Sequence, residues 1–534
     1  MPEGGVISAA EWRRVTVFAA AVMILTLLPY LAGALAAGDG WMFGGFVFGV
    51  EDGYSYLAKM RLGARGDWLF TLRYTHEPHD GAPLFLPYLL LGKLTALLVD
   101  PRSSDLPAAL IIVFHLARLI CGFGLILVTY RFVAVFVRRP ATRLLTLAAI
   151  ALGGGVGWVA NVAGATDALP VDFYIPEGFS FLILLGLPHL ALARMALLGG
   201  LLLLFRTLGA THWPPWALAA GLCWVVMGLC VPFYLAVVYV VLGAWGLAVW
   251  ARTRRFPWAL AWRAGIAALV TLPLLLVTAY AFLTNEVLGA WSSQNQLPSP
   301  APIHYVLGYV ILAVPALIGA RWAWQRGAPP HLLLVAWIVV APVLVYLPVN
   351  VQRRLLEGVI VPLGVLAVVG LRLSFPPGRR WRRARAFWLA ALLSGAALLW
   401  LGALFTALKP DRPIFQPGAE LRAMGALNRI APRDAVVLAL KETGNVLPAW
   451  TDLKAYVGHG PETIDADRKE RLAEQFFAGA LDPVAQRELL ATVDYVFFGP
   501  QEQAIAGSRR SLDLPLALPP EETAPVLIYE VPHE

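Results

Sequence analysis

Glu51 and Asp52 stand side by side in VEDGYSYLAKM, directly after a long apolar run. A carboxylate in that place could take a proton from an attacking hydroxyl, the work of a general base. Held near a membrane interface it would be partly desolvated, which raises its basicity. Adjacent side chains diverge, so one would act as base while the other orients it or binds a metal ion. Asp52 is the expected base. In the same segment, His76-Glu77-Pro78-His79-Asp80 gathers residue types that ligate metals. The spacing matches no tight zinc signature, and Pro78 interrupts any helix. Substrate hydrogen bonding and plain loop polarity therefore stand beside metal ligation as readings.

Arg353 and Arg354, in VNVQRRLLEG, suggest a different chemistry. Paired guanidinium groups grip phosphate oxygens in bidentate fashion. The alternative is pairing with Glu357 or with lipid headgroups in general. Asp172, Tyr174 and Glu177 lie in another polar loop, and His189 follows Pro188 inside an apolar run. An ionisable residue within a span is a functional candidate, although His189 could equally be a satisfied hydrogen bonder between helices. Trp291, Gln294 and Asn295 suit contact with carbohydrate. His459 and Glu462 lie in AYVGHGPETIDADRK, where Gly458 and Gly460 would permit unusual backbone angles. That stretch could close over a site or simply cap the helix that follows.

These residues need elements to hold them, and the composition says which. Of 534 residues 59% are hydrophobic and 14% charged. Soluble domains are about 45–50% apolar and about 25% charged. Apolar runs of about 20 residues recur, as membrane helices require, and they are continuous rather than alternating, which excludes a barrel. Eleven spans are expected, near 15–37, 107–134, 144–165, 180–205, 216–231, 233–251, 264–284, 303–320, 332–349, 355–372 and 387–407. Pro188 and Pro232 predict broken or kinked helices.

Arginine sets the orientation. With Arg13 and Arg14 in the cytoplasm, the same side receives Arg131 to Arg143, Arg206, Arg252 to Arg263, Arg321, Arg326 and the run from Arg372 through Arg379 to Arg385. This is the positive-inside pattern. Acids fall on the other side, Glu3 and Glu11 excepted, and Arg353 and Arg354 break the rule by facing outward. Residues 83–99 are apolar enough to be ambiguous. Spanning there would invert every later loop, so they are expected to lie in the outer interface. Cysteines 121, 223 and 230 fall in apolar runs, against a disulfide framework. The first run is too long for the core of a signal peptide.

Two regions follow. Residues 1–408 form an all-α polytopic membrane domain, with 38–106 as a long outer first loop, and carry 29 basic and 15 acidic side chains. Residues 409–534 carry 13 and 19 and read as a small soluble α/β domain. VVLAL (436–440) and DYVFFG (494–499) predict strands, and 465–479 a helix with Phe476 and Phe477 inward.

The whole membrane region resembles the GT-C glycosyltransferase superfamily, which includes protein O-mannosyltransferases and aminoarabinose transferases. The resemblance rests on Glu51 and Asp52 after the first span, an amphipathic segment after HEPHDGAPLFLPYLL, and an outer C-terminal domain. DFYIPEGFSFLILLGLPHLALA, NVQRRLLEGVIVPL and GNVLPAWTDLKAYVGHGPETID look like a bacterial branch of it. It implies inverting transfer of a sugar from a polyprenyl-phosphate donor to a glycan, lipid or protein acceptor, at the outer face of a bacterial inner membrane. Asp52 or Glu51 would be base or ligand to a divalent ion such as Mg2+ or Mn2+, and Arg353 or Arg354 would meet the donor phosphate. His76, Glu77, His79, Asp80, Glu177, His189, Gln294, Asn295, His459 and Glu462 would be substrate contacts. Val231-Pro232-Phe233 departs from the expected His-Pro-Tyr triplet. No nucleic-acid partner is expected. A transporter or flippase, which tends to carry midplane charges and inverted repeats, is the rival class. A non-catalytic envelope assembly protein is the third.

Overall fold

The computed structural model describes residues 6–38, 40–376 and 378–533, with no description of the Arg379 side chain. Glu3, Asp39 and that arginine head therefore lie outside the described residues. The chain is mostly helical and divides into two compact units. One comprises residues up to Leu28, Leu116–Val277 and Gln296–Gly402; the other Pro29–His115, Thr278–Asn295 and Ala403 onward.

Among the described residues, six helices are long and apolar enough to cross a membrane: Ala9–Ala36, Leu106–Phe136, Pro188–Thr207, Tyr234–Thr253, Pro302–Arg326 and Arg382–Ala407. Trp258–Leu269 and Leu272–Thr284 make a seventh if the pair, bent by 47°, is one broken span. Four further apolar helices, Pro140–Leu152, Pro214–Cys230, Pro329–Leu344 and Ile360–Ser374, are shorter. The breaks fall where proline predicts them. Ser180–Gly186 stops before Pro188, and Pro214–Cys230 stops before Pro232. Proline lacks the N–H that would continue the ladder.

The first unit is nailed together by charges inside apolar helices. Arg194 is fully buried and meets Glu357 at 2.7 and 2.9 Å, with further bonds to Ser180 Oγ and the carbonyl oxygens of Pro176 and Glu177. Glu11 takes the guanidinium of Arg143 at 2.7 Å, so the start of the chain lies beside the 137–143 turn. Arg118 donates to Thr26 and to the Leu184 carbonyl. Each of these cations has oxygen partners, without which a buried charge is prohibitively costly.

In the second unit, Val50–Ala64 is the central helix. Leu86–Ala96 packs on it so closely that a Cβ on Gly92 would come within 1.7 Å of the Met60 carbonyl oxygen. That second helix has 11 residues, roughly 16 Å of rise, about half a bilayer. The C-terminal segment supplies a four-stranded sheet in the order Lys454–Ala455, Val436–Leu438, Tyr495–Phe498, Leu527–Glu530. The first two pairings are parallel and the last antiparallel. The strands expected at 436–440 and 494–499 are present, and Ala466–Ala478 forms the expected helix with Phe476 and Phe477 buried. One face of the sheet packs through Val437, Tyr495, Phe497 and Ile528 into a core shared with Leu57, Ala58 and Met60 of the central helix.

Candidate active site

Asp52, Ser55 and Lys59 are spaced to share one face of Val50–Ala64, because three- and four-residue steps return to the same side of a helix. All three meet the loop 459–463 of the C-terminal segment. His459 Nε2 lies 3.0 Å from Asp52 Oδ1. Ser55 Oγ donates to Glu462 Oε1 at 2.6 Å, and the Lys59 ammonium pairs with the same oxygen. His459 Nδ1 lies 3.6 Å from that oxygen, so an imidazole stands between two carboxylates. Glu462 and Lys59 are buried, as is His459, whereas 51% of the Asp52 side chain is exposed.

The electrostatics follow from this asymmetry. Burial alone would push the His459 pKa down. The hydrogen bond to Asp52 and the charges of Glu462 and Asp52 outweigh it and hold the imidazole above its usual 6.5. Burial would push Glu462 up, but the Lys59 charge, with His459 and Ser55, holds it below its usual value. Asp52 sits in the first helical turn, where the helix dipole favours an anion. The site therefore presents one half-exposed carboxylate backed by a buried imidazole whose protonated form is favoured. Glu51 is spent differently: its Oε1 accepts the Gly460 N–H at 2.9 Å.

Gly458 and Gly460 do not serve by unusual angles, since neither has positive φ. Gly458 is there for close approach: a Cβ on it would meet the Gly444 carbonyl and the Tyr74 ring at 2.7 Å.

The other expected residues sort themselves. His79 accepts the Leu72 N–H through Nε2 at 2.9 Å and its Nδ1 lies 2.8 Å from the Glu77 carbonyl. Glu77 pairs with Lys469 at 2.8 Å, His76 stacks on Tyr456, and the Asp80 carbonyl accepts from Asn285. This group shapes its own loop. Gln294 spends both ends of its amide on the backbone of Thr463 and Asp465, and Asn295 ends the Glu286–Gln294 helix. Gln294 thereby fixes the loop that carries Glu462. Among the described residues, no group of three or more His, Cys, Asp or Glu side chains could hold a metal ion.

In the first unit, Arg353 and Arg354 lie in the short helix Gln352–Leu356. Arg354 Nε is 3.6 Å from the buried Glu177 and its head lies over the Phe233 ring at 5.9 Å. Arg353 lies over the Tyr174 ring at 5.3 Å. Pairing of these arginines with Glu357 is not observed, because Arg194 holds that carboxylate. Tyr234 Oη donates to Glu177 at 3.2 Å, so the Val231-Pro232-Phe233 break places an aromatic ring and a hydroxyl beside the pair. Asp172 is buried and accepts the Gly155 N–H, and burial raises its pKa. His189 stands in the first turn of Pro188–Thr207. Lys59, Arg194 and Ser55 escaped the sequence reading; a charge inside an apolar helix was the available signal for the two cations.

No protein-family model matches the chain, and no curated protein matches it. Solved structures do. The Archaeoglobus fulgidus oligosaccharyltransferase in its apo form is 14% identical, covers 91% of this chain and 69% of its own, and superposes with a TM-score of 0.55. The same enzyme in complex with zinc and sulfate is 14% identical over 90% of this chain and 67% of its own, with a TM-score of 0.51. Arabinofuranosyltransferase AftD from Mycobacteria is 18% identical over 98% of this chain, with a TM-score of 0.54, and this chain spans only 42% of it. At these identities what is shared is the fold. The chain has the fold of the GT-C glycosyltransferase superfamily.

Proposed function

We propose that this protein is a membrane glycosyltransferase that moves a sugar from a polyprenyl-phosphate donor to an acceptor hydroxyl, with inversion at the anomeric carbon. The carrying observation is Asp52, a half-exposed carboxylate held through one oxygen by a buried imidazole. Asp52 accepts the acceptor proton. His459 fixes the carboxylate, and Glu462 with Lys59 fixes His459. Arg353 and Arg354 receive the donor phosphate. Stacking on Tyr174 and Phe233 holds the two guanidinium groups in place, and Arg354 stabilises the charge that develops on the leaving phosphate. Glu177 competes for Arg354 until the phosphate displaces it. Glu51, His76, Glu77, His79, Asp80, His189, Gln294 and Asn295 act by shaping and positioning the surrounding loops.

In this reading the four shorter apolar helices also cross, giving eleven spans with the N-terminus cytoplasmic. Residues 38–106 and the α/β region 409–534 are then periplasmic. The pairing of Glu11 with Arg143 supports placing the arginine-rich turns on one side. Asp52 is the carboxylate this chain offers a divalent ion such as Mg2+ or Mn2+, and the zinc in the A. fulgidus oligosaccharyltransferase crystal supports keeping such an ion in view. The sugar acceptor is a glycan, lipid or protein of the envelope.

The test is mass spectrometry of envelope glycans, glycolipids and glycoproteins from a deletion strain complemented with wild type or Asp52→Asn. A glycoform lost on deletion, restored by wild type and not by the variant supports the reading. Restoration by both would move the protein to the transport or assembly class.

A further inference from the structure

Away from Asp52, the central helix of the second unit carries a second charged cluster. Arg61 and Arg65, one turn apart, both bond Asp452: Arg61 Nε reaches Oδ1 at 2.7 Å, and Arg65 pairs with Oδ2. Arg73 pairs with Asp434 and also donates to the Asp452 carbonyl oxygen at 2.7 Å. Arg433 pairs with Asp67 and lies 3.8 Å from Asp434. Four guanidinium groups thus share three carboxylates, and Lys454 stands near Arg73. Burial, with the charge of Arg73, pushes Arg61 down to about 9.

The surplus charge faces a cavity. Arg61, Arg65, Arg73 and Arg433 line a small space with Thr451 and Asp452. The Arg61 side chain is 95% buried, yet its Nη1 has no hydrogen-bond partner among the described residues, and neither has Nε of Arg65. A buried N–H without an acceptor costs about 1–3 kcal/mol, more when charged, so these atoms call for an occupant. Arg65 and Arg433 are partly exposed, which leaves the space open to solvent.

We propose that this cavity is an oxyanion-binding site for a single phosphate group. The enclosed part of the space is no larger than a single water, so only one oxygen of the group enters it and the rest lies at the solvent-facing mouth beside Arg65 and Arg433. Guanidinium forks from several directions favour phosphate over carboxylate: a carboxylate offers two oxygens in one plane, a phosphate group three or more in a tetrahedron. The bond between Asp452 and the central helix persists when the anion binds, so the carboxylate orients Arg61 and Arg65. The phosphate could be free in solution or carried by a lipid headgroup. None of the residues invoked for transfer belongs to the cluster, so the site stands or falls independently of the proposed reaction.

The experiment is arginine labelling with phenylglyoxal, read by peptide mass spectrometry on the full chain in a phosphate-free maltoside detergent and chloride buffer. Inorganic phosphate is titrated in one arm, and acetate serves as the carboxylate control. In another arm the protein is placed in phosphatidylcholine nanodiscs with or without phosphatidic acid. Phosphate should slow labelling of Arg65 and Arg433 saturably while the exposed Arg422 is unaffected. Acetate should not. Protection by phosphatidic acid without soluble phosphate assigns the source to lipid; protection only by soluble phosphate assigns it to solution. In Arg433→Gln, whose side chain is half exposed, the phosphate affinity read at Arg65 should fall by about tenfold or more. Absence of protection in every arm, equal protection at Arg422, or unchanged affinity in Arg433→Gln overturns the site and leaves the cluster as a structural staple between the central helix and Asp452.

Discussion

Replacing Glu462 with Gln should unfold the second unit far more readily than removing its whole ion pair. Glu462 is the carboxylate that neutralises Lys59, and their side chains are 4% and 1% exposed. Without it the ammonium keeps Ser55 and the faces of Phe85, Phe70 and Tyr56, with Phe85 closest at 4.4 Å. Such cation–π contacts are worth about 0.5–2 kcal/mol each, less than the cost of an uncompensated buried charge. Breaking a buried pair by removing one partner costs about 3–5 kcal/mol, whereas replacing both by apolar residues is often neutral or stabilising. For a cooperative unit of this size that corresponds to a loss of roughly 6–20 °C in midpoint for Glu462→Gln. Lys59→Met combined with Glu462→Leu should recover most of it. The assay is thermal unfolding in detergent, read through tryptophan fluorescence. Because Glu462 is held below its usual 4.5, its stabilisation is complete above that value and is lost as pH falls through the lowered one. A double variant as unstable as the single one, or a Glu462→Gln midpoint unchanged at neutral pH, would refute the buried pair as the anchor of the 459–463 loop.

The raised His459 pKa makes an opposite pH prediction. Its contribution is full below 6.5 and is lost as pH rises through the raised value, so the difference in midpoint between wild type and His459→Gln should shrink as pH rises across that window. A difference that grows with pH would contradict the assignment. Arg354→Gln should lower kcat and kcat/KM together by about 10²–10³-fold, as expected when a group that stabilises the developing charge is lost; unchanged donor kinetics would remove it from the phosphate site. With the three native cysteines replaced, a cysteine at Gln352 should react with an impermeant maleimide added outside intact cells; labelling only after permeabilisation would reverse the proposed orientation.

Local pattern carried much of this structure into view. Continuous apolar runs announced the helices, prolines 188 and 232 announced the breaks, and alternating signals after residue 430 announced two strands and a helix of the C-terminal segment, though not the order or mixed pairing of the sheet. What stayed hidden depended on contacts between distant positions. Asp52 meets His459 across 407 residues and Arg194 meets Glu357 across 163, and no periodicity encodes either pairing. In the HEPHD stretch ligand-type side chains fasten the loop, and Lys469, which takes Glu77, is far away in sequence. Gly458 looked like a place for unusual backbone angles and is a point of close approach, a distinction that only the Gly444 backbone reveals.

The most direct test is transfer by the purified protein. Reconstituted with a panel of polyprenyl-phosphate sugars and an envelope extract as acceptor, wild type should release polyprenyl phosphate and form a product of inverted anomeric configuration, read by NMR. Asp52→Asn should be slower by about 10²–10⁴-fold, the usual contribution of a general base, with its thermal midpoint maintained. Retention of configuration, or full activity in Asp52→Asn, would contradict the account.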